Sequence, residues 1–356
     1  MLKQTNQYFK KQSMNKKSLS ANRKIHSHIL QFLDNKKIFK IYSNFIKQIN
    51  IYTKTKKLAV AISGGPDSIA LAFFAKCYSL KKNIKCYFFL VDHGLRKESH
   101  IEAKHVVLKL KKYNISCKII KWIGKKPSSN IHHYARLNRY NLILKQCKKM
   151  RINKLLVGHH QDDLIENFFI RLFRGSGLKG LASFGSNSEI NKNNIKIVRP
   201  LIKCKKNDLE FVSKKVFKSY IKDPSNIDEK FTRSRIRNFL KKENFDLKKL
   251  KLTIKNLKKS DQTIEYYVKK NIDENCNYLT KKNKFILSEY FFKNSEEIIF
   301  RSLNFIFTKI SKKNYPPRGK KTMDLLLKIN GKNFKKITLG GCLIEKINKT
   351  IIISKE

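Results

Sequence analysis

Residues 59–68, AVAISGGPDS, place two glycines and a proline directly after a short apolar run, in a chain with only 13 glycines and 6 prolines among 356 residues. Lys57–Ile62 (KLAVAI) carries no charge after its first residue and has the length of a strand buried on both faces. Ile69–Leu80 reads as a helix, with apolar residues at 69, 70, 73, 74 and 77 on one side. Ser63-Gly64-Gly65-Pro66-Asp67-Ser68 is then a strand-to-helix turn, with Pro66 suited to the first helical position. Such a turn leaves unpaired N–H groups at the positive end of a helix, where a phosphate binds. Glycine lets the backbone approach the anion, and Ser63 and Ser68 add hydroxyl donors. An ordinary Gly-rich βα turn is the alternative. No Lys follows the glycines as a Walker loop requires, and no G-x-G-x-x-G is present.

At 356 residues the chain should form two or three domains with ample core. Its net charge of +54 and pI near 10.1 point to a polyanionic partner. Lys is abundant throughout, as biased base composition would also produce, so arginine carries more information. Nine of the 13 arginines lie between Arg136 and Arg237, and guanidinium is the better fork for phosphate. Nucleic acid is therefore preferred over an acidic membrane, for which no basic amphipathic anchor is seen. The seven cysteines stand singly without zinc spacing, as in a reduced compartment. The basic N-terminus is not followed by an apolar segment of signal-peptide type. A cytoplasmic protein that does not engage a membrane is expected.

Strand and helix signals alternate from Lys57 to Val198. Ile84–Val91, Ser116–Trp122, Lys154–Gly158 and Ile195–Val198 read as strands. Glu98–Tyr113, Ser129–Met150 and Asp162–Phe173 read as helices. This rhythm means a parallel sheet, with ligands beyond the carboxyl ends of its strands. Residues 1–50 read as a polar lead-in followed by a helix (Ile25–Ile49), 51–240 as the catalytic domain, and 241–356 as a Lys-rich region. In that last region Lys241–Lys312 reads as mostly helical, and Phe334–Ser354 as a short β segment turning at Gly340-Gly341.

The polar clusters fall at strand ends. Asp92 and His93 follow the second strand and face the cleft, or else cap the next segment. Gly158-His159-His160-Gln161-Asp162-Asp163 and then Glu166 follow the fourth. Two histidines and three carboxylates there could hold a divalent metal or an ammonium group; the helix dipole alone would explain Asp162 and Asp163 but not the paired histidines. Arg171-Leu-Phe-Arg174-Gly-Ser-Gly forms a basic flexible loop near substrate, or a plain surface crossover. Arg233 and Arg237, four apart, form a phosphate fork or a solvated face.

Taken in order, SGGPDS, VDHGLR, AR-x-x-RY (Ala135–Tyr140), GHH-x-DD-x-x-E, RLFRGSG, RPL (Arg199–Leu201), D-P-S-N (Asp223–Asn226) and R-x-R-x-R (Arg233–Arg237) resemble the tRNA(Ile)-lysidine synthetase family of PP-loop ATP pyrophosphatases. The resemblance runs from about Lys57 to Leu240. Departures stand at Leu164, Asn167, Tyr220 and Ser234. It implies an α/β fold, a parallel-sheet PP-loop ATPase domain followed by a smaller, mostly helical substrate domain that contacts tRNA. The substrates implied are ATP with Mg²⁺, free L-lysine and tRNA(Ile) with a CAU anticodon, a homodimer being allowed. ATP would sit on Ser63, Gly64, Gly65, Pro66, Asp67 and Ser68, with Asp67 also holding Mg²⁺. Asp67, Asp92, His159 and Asp162 are the expected catalytic residues, and Asp163 and Glu166 would bind lysine or metal. Arg136, Arg139, Arg171, Arg174, Arg199, Arg233 and Arg237 are expected on tRNA.

Overall fold

The computed structural model describes residues 25–50, 56–96, 98–124, 131–183, 189–190, 195–221, 232–243, 245–313, 315–331 and 334–356. The D-P-S-N motif at Asp223–Asn226 lies outside them. The chain divides into two compact units, Met1–Lys251 and Leu252–Glu356.

In the first unit a six-stranded sheet has the order β3-β2-β1-β4-β6-β5. Its strands are β1 (Lys57–Ile62), β2 (Lys85–Asp92), β3 (Cys117–Lys121), β4 (Lys154–Leu156), β5 (Glu189–Ile190) and β6 (Ile195–Val198). Five of them pair in parallel, and only β5 runs antiparallel, against β6. The helices are α1 (Lys36–Asn50), α2 (Pro66–Lys82), α3 (Ser99–Lys111), α4 (Ile131–Lys149), α5 (Gln161–Leu172), α6 (Leu178–Ala182), α7 (Lys206–Phe217) and α8 (Thr232–Lys242). Successive strands run outward from β1 to β2 and β3, then cross back to β4. The strand order therefore reverses between β1 and β4, and a crevice opens at their carboxyl ends, where open α/β sheets bind ligands.

Helix α2 is more deeply enclosed than its one-sided pattern predicts. Leu71, Ala72, Ala75 and Tyr78 are buried along with Ile69, Ala70, Phe73, Phe74 and Cys77. Tyr42 and Phe45 of α1 stack on Phe74 from the side away from the sheet, so the helix is apolar all round because it is covered all round. The body of α2 is thereby fixed in a packed core, and the turn before it sits at the edge of that core, with Ser63 exposed.

The second unit holds the remainder of α9 (Leu247–Asn275), then α10 (Glu296–Ser311) and α11 (Gly319–Asn330). These helices accompany an antiparallel sheet of order β7-β8-β11-β10-β9. The mostly helical reading of Lys241–Lys312 holds, through α9 and α10, and a hairpin that the reading did not include lies between them. Cys276–Leu279 (β7) and Lys284–Leu287 (β8) form a hairpin whose second strand pairs with β11 (Thr350–Lys355). A four-residue apolar run such as KFIL has no period to separate strand from helix, and the turn residue Asn283, at φ +44°, was the available signal. The turn at Gly340-Gly341 lies between β9 (Lys336–Leu339) and β10 (Cys342–Ile347), as predicted. Among the described residues no helix is long and apolar enough to cross a membrane.

Candidate active site

The turn after β1 has the geometry its sequence demands. Gly64 sits at φ +87°, and a Cβ there would approach Val106 Cγ2 to 2.8 Å, so both conformation and space require glycine. Gly65 is extended at the helix N-cap and Pro66 opens α2. Ser68 Oγ donates to Gly65 O at 3.0 Å and accepts from Ser63 N at 3.1 Å, closing the loop on itself. Ser213 of α7 donates to Pro66 O at 2.6 Å. The Ser68 hydroxyl, expected to face phosphate, is thus also the internal pin of the turn.

The loop after β4 meets this turn across the crevice. A Cβ on Gly158 would lie 3.2 Å from backbone atoms of Asp67 and Ser68, so glycine is what lets the two loops touch. His160 caps α5: its Nδ1 accepts from Asp162 N at 3.2 Å, while Asp163 Oδ2 accepts from His160 N at 3.0 Å. This is a capping box with histidine in the Ser/Thr position. The same ring places Nε2 3.6 Å from Asp67 Oδ2 and 3.5 Å from Asp163 Oδ2. His160 therefore links the two loops. The site residues predicted from sequence did not include it, although its place one residue before a helix with Asp at the third helical position is a cap signature.

Burial opposes charge on His160. The Asp67 hydrogen bond and the carboxylates of Asp163, Asp67 and Asp162 outweigh it and raise the pKa to about 9. A raised pKa means that charged His160 contributes stability fully below the ordinary histidine value near 6.5, a contribution lost as pH rises through about 9. Only the neutral ring, with its proton on Nε2 toward Asp67, can accept from Asp162 N; the charged ring has no lone pair at Nδ1 and exchanges that cap bond for its attraction to the carboxylates. In an NMR titration His160 should show the high pKa, and Asp67→Asn should lower it by one unit or more. An unchanged titration would mean that Asp67 and His160 do not interact.

His159 lies in the opposite electrostatic setting. Burial is the main cause that lowers its pKa, to about 3; the Asp163 carboxylate works against it and the guanidinium groups of Arg136, Arg199 and Arg233 add to it. Arg199 Nε donates to Nδ1 at 3.2 Å, and Arg136 Nη2 lies 3.3 Å from Nε2. A neutral imidazole accepts at one nitrogen only, so the ring can receive Arg199 at Nδ1 or Arg136 at Nε2 but not both at once. The predicted catalytic His159 is thus neutral and surrounded by predicted RNA-binding arginines.

The acidic face of α5 is matched by α8. Arg237 donates to Glu166 from Nε at 2.5 Å and from Nη2 at 3.2 Å. Arg233 stands 3.8 Å from Glu166 Oε2 and 3.9 Å from Asp163 Oδ1. Asp163 is held below the usual carboxylate range: burial works against its charge, but His160, Arg233 and the hydrogen bond from His160 N outweigh it. Arg237, expected on RNA, and Glu166, expected on lysine or metal, face each other. Asp162 stands outside both arginine pairs.

The other predicted residues have contacts of their own. Asp92, at the end of β2, accepts from Gly94 N at 3.0 Å and pairs with His100 Nδ1 at 3.1 Å. Arg139 donates to His93 Nε2 at 3.2 Å. Arg171 donates to Asn167 Oδ1 and Gly180 O, both at 2.9 Å, and so shapes the glycine loop. Arg174 is exposed in that loop, beyond the far end of α5 and about 18 Å from its acidic N-terminus at 1.5 Å per residue.

Residues 33–244 match the family model of the PP-loop domain. The tRNA(Ile)-lysidine synthase of Orientia tsutsugamushi (strain Boryong) is 31% identical over 323 residues, 87% of this chain and 72% of that protein. That of Wolbachia pipientis wMel is 33% identical over 327 residues, 89% of this chain and 74% of that protein. The chain belongs to the tRNA(Ile)-lysidine synthase family. A further synthase of the family, from Rickettsia typhi (strain ATCC VR-144 / Wilmington), is 34% identical over 314 residues, 84% of this chain and 70% of that protein. Among solved structures, the U34-tRNA thiolase NcsA from Methanococcus maripaludis with its [4Fe-4S] cluster superposes with a TM-score of 0.51 at 18% identity. That match covers 64% of this chain and 79% of that one, a likeness of fold alone. In this lysidine synthase relative, burial pushes the thiols of Cys77, Cys86, Cys117, Cys147, Cys204 and Cys276 up to about 12 and that of Cys342 to about 11. Such thiols are poor nucleophiles and poor ligands. The PP-loop of the synthase family implies ATP, and the residues fit it: a turn at a helix N-terminus, pinned by Ser68, and a leftover buried oxygen, Asp67 Oδ1.

Proposed function

We propose that this chain ligates free lysine to C2 of the wobble cytidine of a tRNA(Ile) with a CAU anticodon, at the expense of ATP. In the first step O2 of the cytidine attacks the α-phosphorus, the α–β bridge breaks, and pyrophosphate leaves an adenylated base. In the second the lysine ε-amine, having lost a proton, attacks C2 and AMP departs. The tRNA then reads AUA and accepts isoleucine. Cytoplasmic tRNA is the fitting substrate pool.

The observation that carries this reading is the meeting of the Gly64–Ser68 turn with the His160–Asp163 cap at the strand-order reversal. The turn would hold the phosphates on backbone N–H groups and the α2 dipole. Mg²⁺ would supply charge neutralisation at the phosphates. Asp67 Oδ1, shielded and without a hydrogen-bond partner among the described residues, suits it. No group of three or more His, Cys, Asp or Glu side chains converges as a metal site among those residues, so phosphates and water would fill the remaining positions, as Mg²⁺ prefers. With Asp163 and Glu166 engaged by arginines, Asp162 is the carboxylate left to receive the lysine ammonium and take its proton, with Asp92 and His159 as the other candidates.

Incubation with the tRNA transcript, ATP and labelled lysine should give AMP and pyrophosphate, and a cytidine heavier by lysine less water. ADP as product, or a sulfur-sized gain, would overturn the proposal. RNA binding should weaken with salt. Arg174→Ala should lower the slope by about 1, whereas Arg237→Ala should leave it unchanged, because its guanidinium faces Glu166. Equal effects of the two on the slope would place Arg237 on the RNA.

A further inference from the structure

The end of α7 reaches the phosphate loop through a short segment that the chemistry above does not use. Ile221 N donates to Gly64 O at 3.1 Å, and the Ile221 side chain fills the space beside Gly64 with Cδ1 3.4 Å from where a Cβ would stand. A trans peptide turns its C=O and N–H in opposite directions. Holding the Gly64 carbonyl toward Ile221 therefore turns the Gly65 N–H the other way.

The segment is itself under constraint. Lys218 adopts φ +63° and ψ −31°, and Ser219 N donates to Phe217 O at 2.7 Å. This is a γ-turn with a positive φ at a lysine, a strained conformation that surrounding contacts must hold. Those contacts come from α3 and from Tyr113, just beyond its end. Lys109 Nζ donates to Ser219 O at 2.8 Å and to Ser219 Oγ at 2.6 Å, and Tyr113 donates its hydroxyl hydrogen to Val216 O. Val106 of the same helix lies nearest the position of a Cβ on Gly64, at 2.8 Å. One helix thus touches both the phosphate loop and the segment that orients it.

We propose that Lys109 is a positioning residue for ATP: it pins Ser219 in the strained turn so that Ile221 holds the Gly64 peptide in its phosphate-receiving orientation. This rests on the reading of Ser63–Ser68 as the phosphate loop. Losing a charged hydrogen-bond donor here should cost about tenfold in ATP affinity, the equivalent of about 1.4 kcal/mol.

The test is amide hydrogen exchange with and without ATP, on the full chain, beside ATP binding and steady-state kinetics. In the unmodified protein ATP should slow exchange at Ser63–Ser68 and at Ile221 together. In Lys109→Met, exchange at Ile221 should quicken at least tenfold, and the KM for ATP should rise about tenfold, with kcat and the KM for lysine nearly unchanged. Quickened exchange with an unaltered KM for ATP would overturn the proposal, since Lys109 would then only support the fold. If Lys109→Met does not fold, the unmodified protein still decides: ATP protection at Ser63–Ser68 without protection at Ile221 overturns the coupling. Absence of ATP protection at Ser63–Ser68 would remove the phosphate-loop reading and this proposal with it.

Discussion

Replacing Asp67 with asparagine should lower turnover by about a thousandfold while the protein stays folded, the upper range for losing one preorganised group that meets developing charge. Asparagine keeps the size of the side chain in the first turn of α2, so the packing of that helix is untouched. What goes is the negative charge, which has two roles here. One oxygen approaches His160 and the other is shielded without a hydrogen-bond partner among the described residues. An amide cannot draw a cation to the phosphates, and it removes an anion that keeps His160 charged. Steady-state rates at saturating ATP, lysine and tRNA, with a melting curve beside them, check the prediction. A rate within tenfold of the unmodified protein would mean that Asp67 does not act on the reacting phosphates.

Glu166→Ala should destabilise the first unit by about 3–5 kcal/mol, the usual cost of breaking a buried ion pair from one side. Glu166 is 3% exposed and receives both donors of the Arg237 fork, with Arg233 close by. Removing it takes a carboxylate away from both guanidinium groups, with Asp163 still 3.9 Å from Arg233. Adding Arg237→Met to a Glu166→Leu variant should recover most of the loss, because an apolar pair of similar size needs no partner charge. Urea unfolding of the two single variants and the double variant measures the coupling. Strict additivity would show that the pair contributes nothing as a pair.

The strand-turn-helix at Lys57–Ser68 could be read because each of its parts has a local cause: an apolar run, a positive-φ glycine, a proline at the helix start. The reversal between β1 and β4 was not legible, since strand order depends on pairings between distant segments, such as Ala59 with Leu155. That pairing decides which predicted groups meet. It joins Asp67 to His160 and leaves Asp92 with His100. Arg237 looked like an RNA contact because helical spacing gives a side chain's angle but not what packs opposite it; the structure puts α5 there. Between the two histidines, neighbours one residue apart in sequence, only the folded environment separates the ring drawn to carboxylates from the neutral ring among arginines.

The scattered cysteines have a practical consequence. Five of them, Cys77, Cys86, Cys117, Cys147 and Cys204, belong to the first unit, while Cys276 and Cys342 belong to the second. A sulfhydryl that rarely ionises while enclosed reacts with an alkylating reagent mainly when its surroundings open. Pulse alkylation followed by peptide mass mapping would therefore act as two built-in clocks, one per unit, reading how often each opens without any introduced label. ATP should slow the first clock by mass action, since a ligand of the folded form suppresses opening. The second would respond only as far as its opening is linked to that of the first.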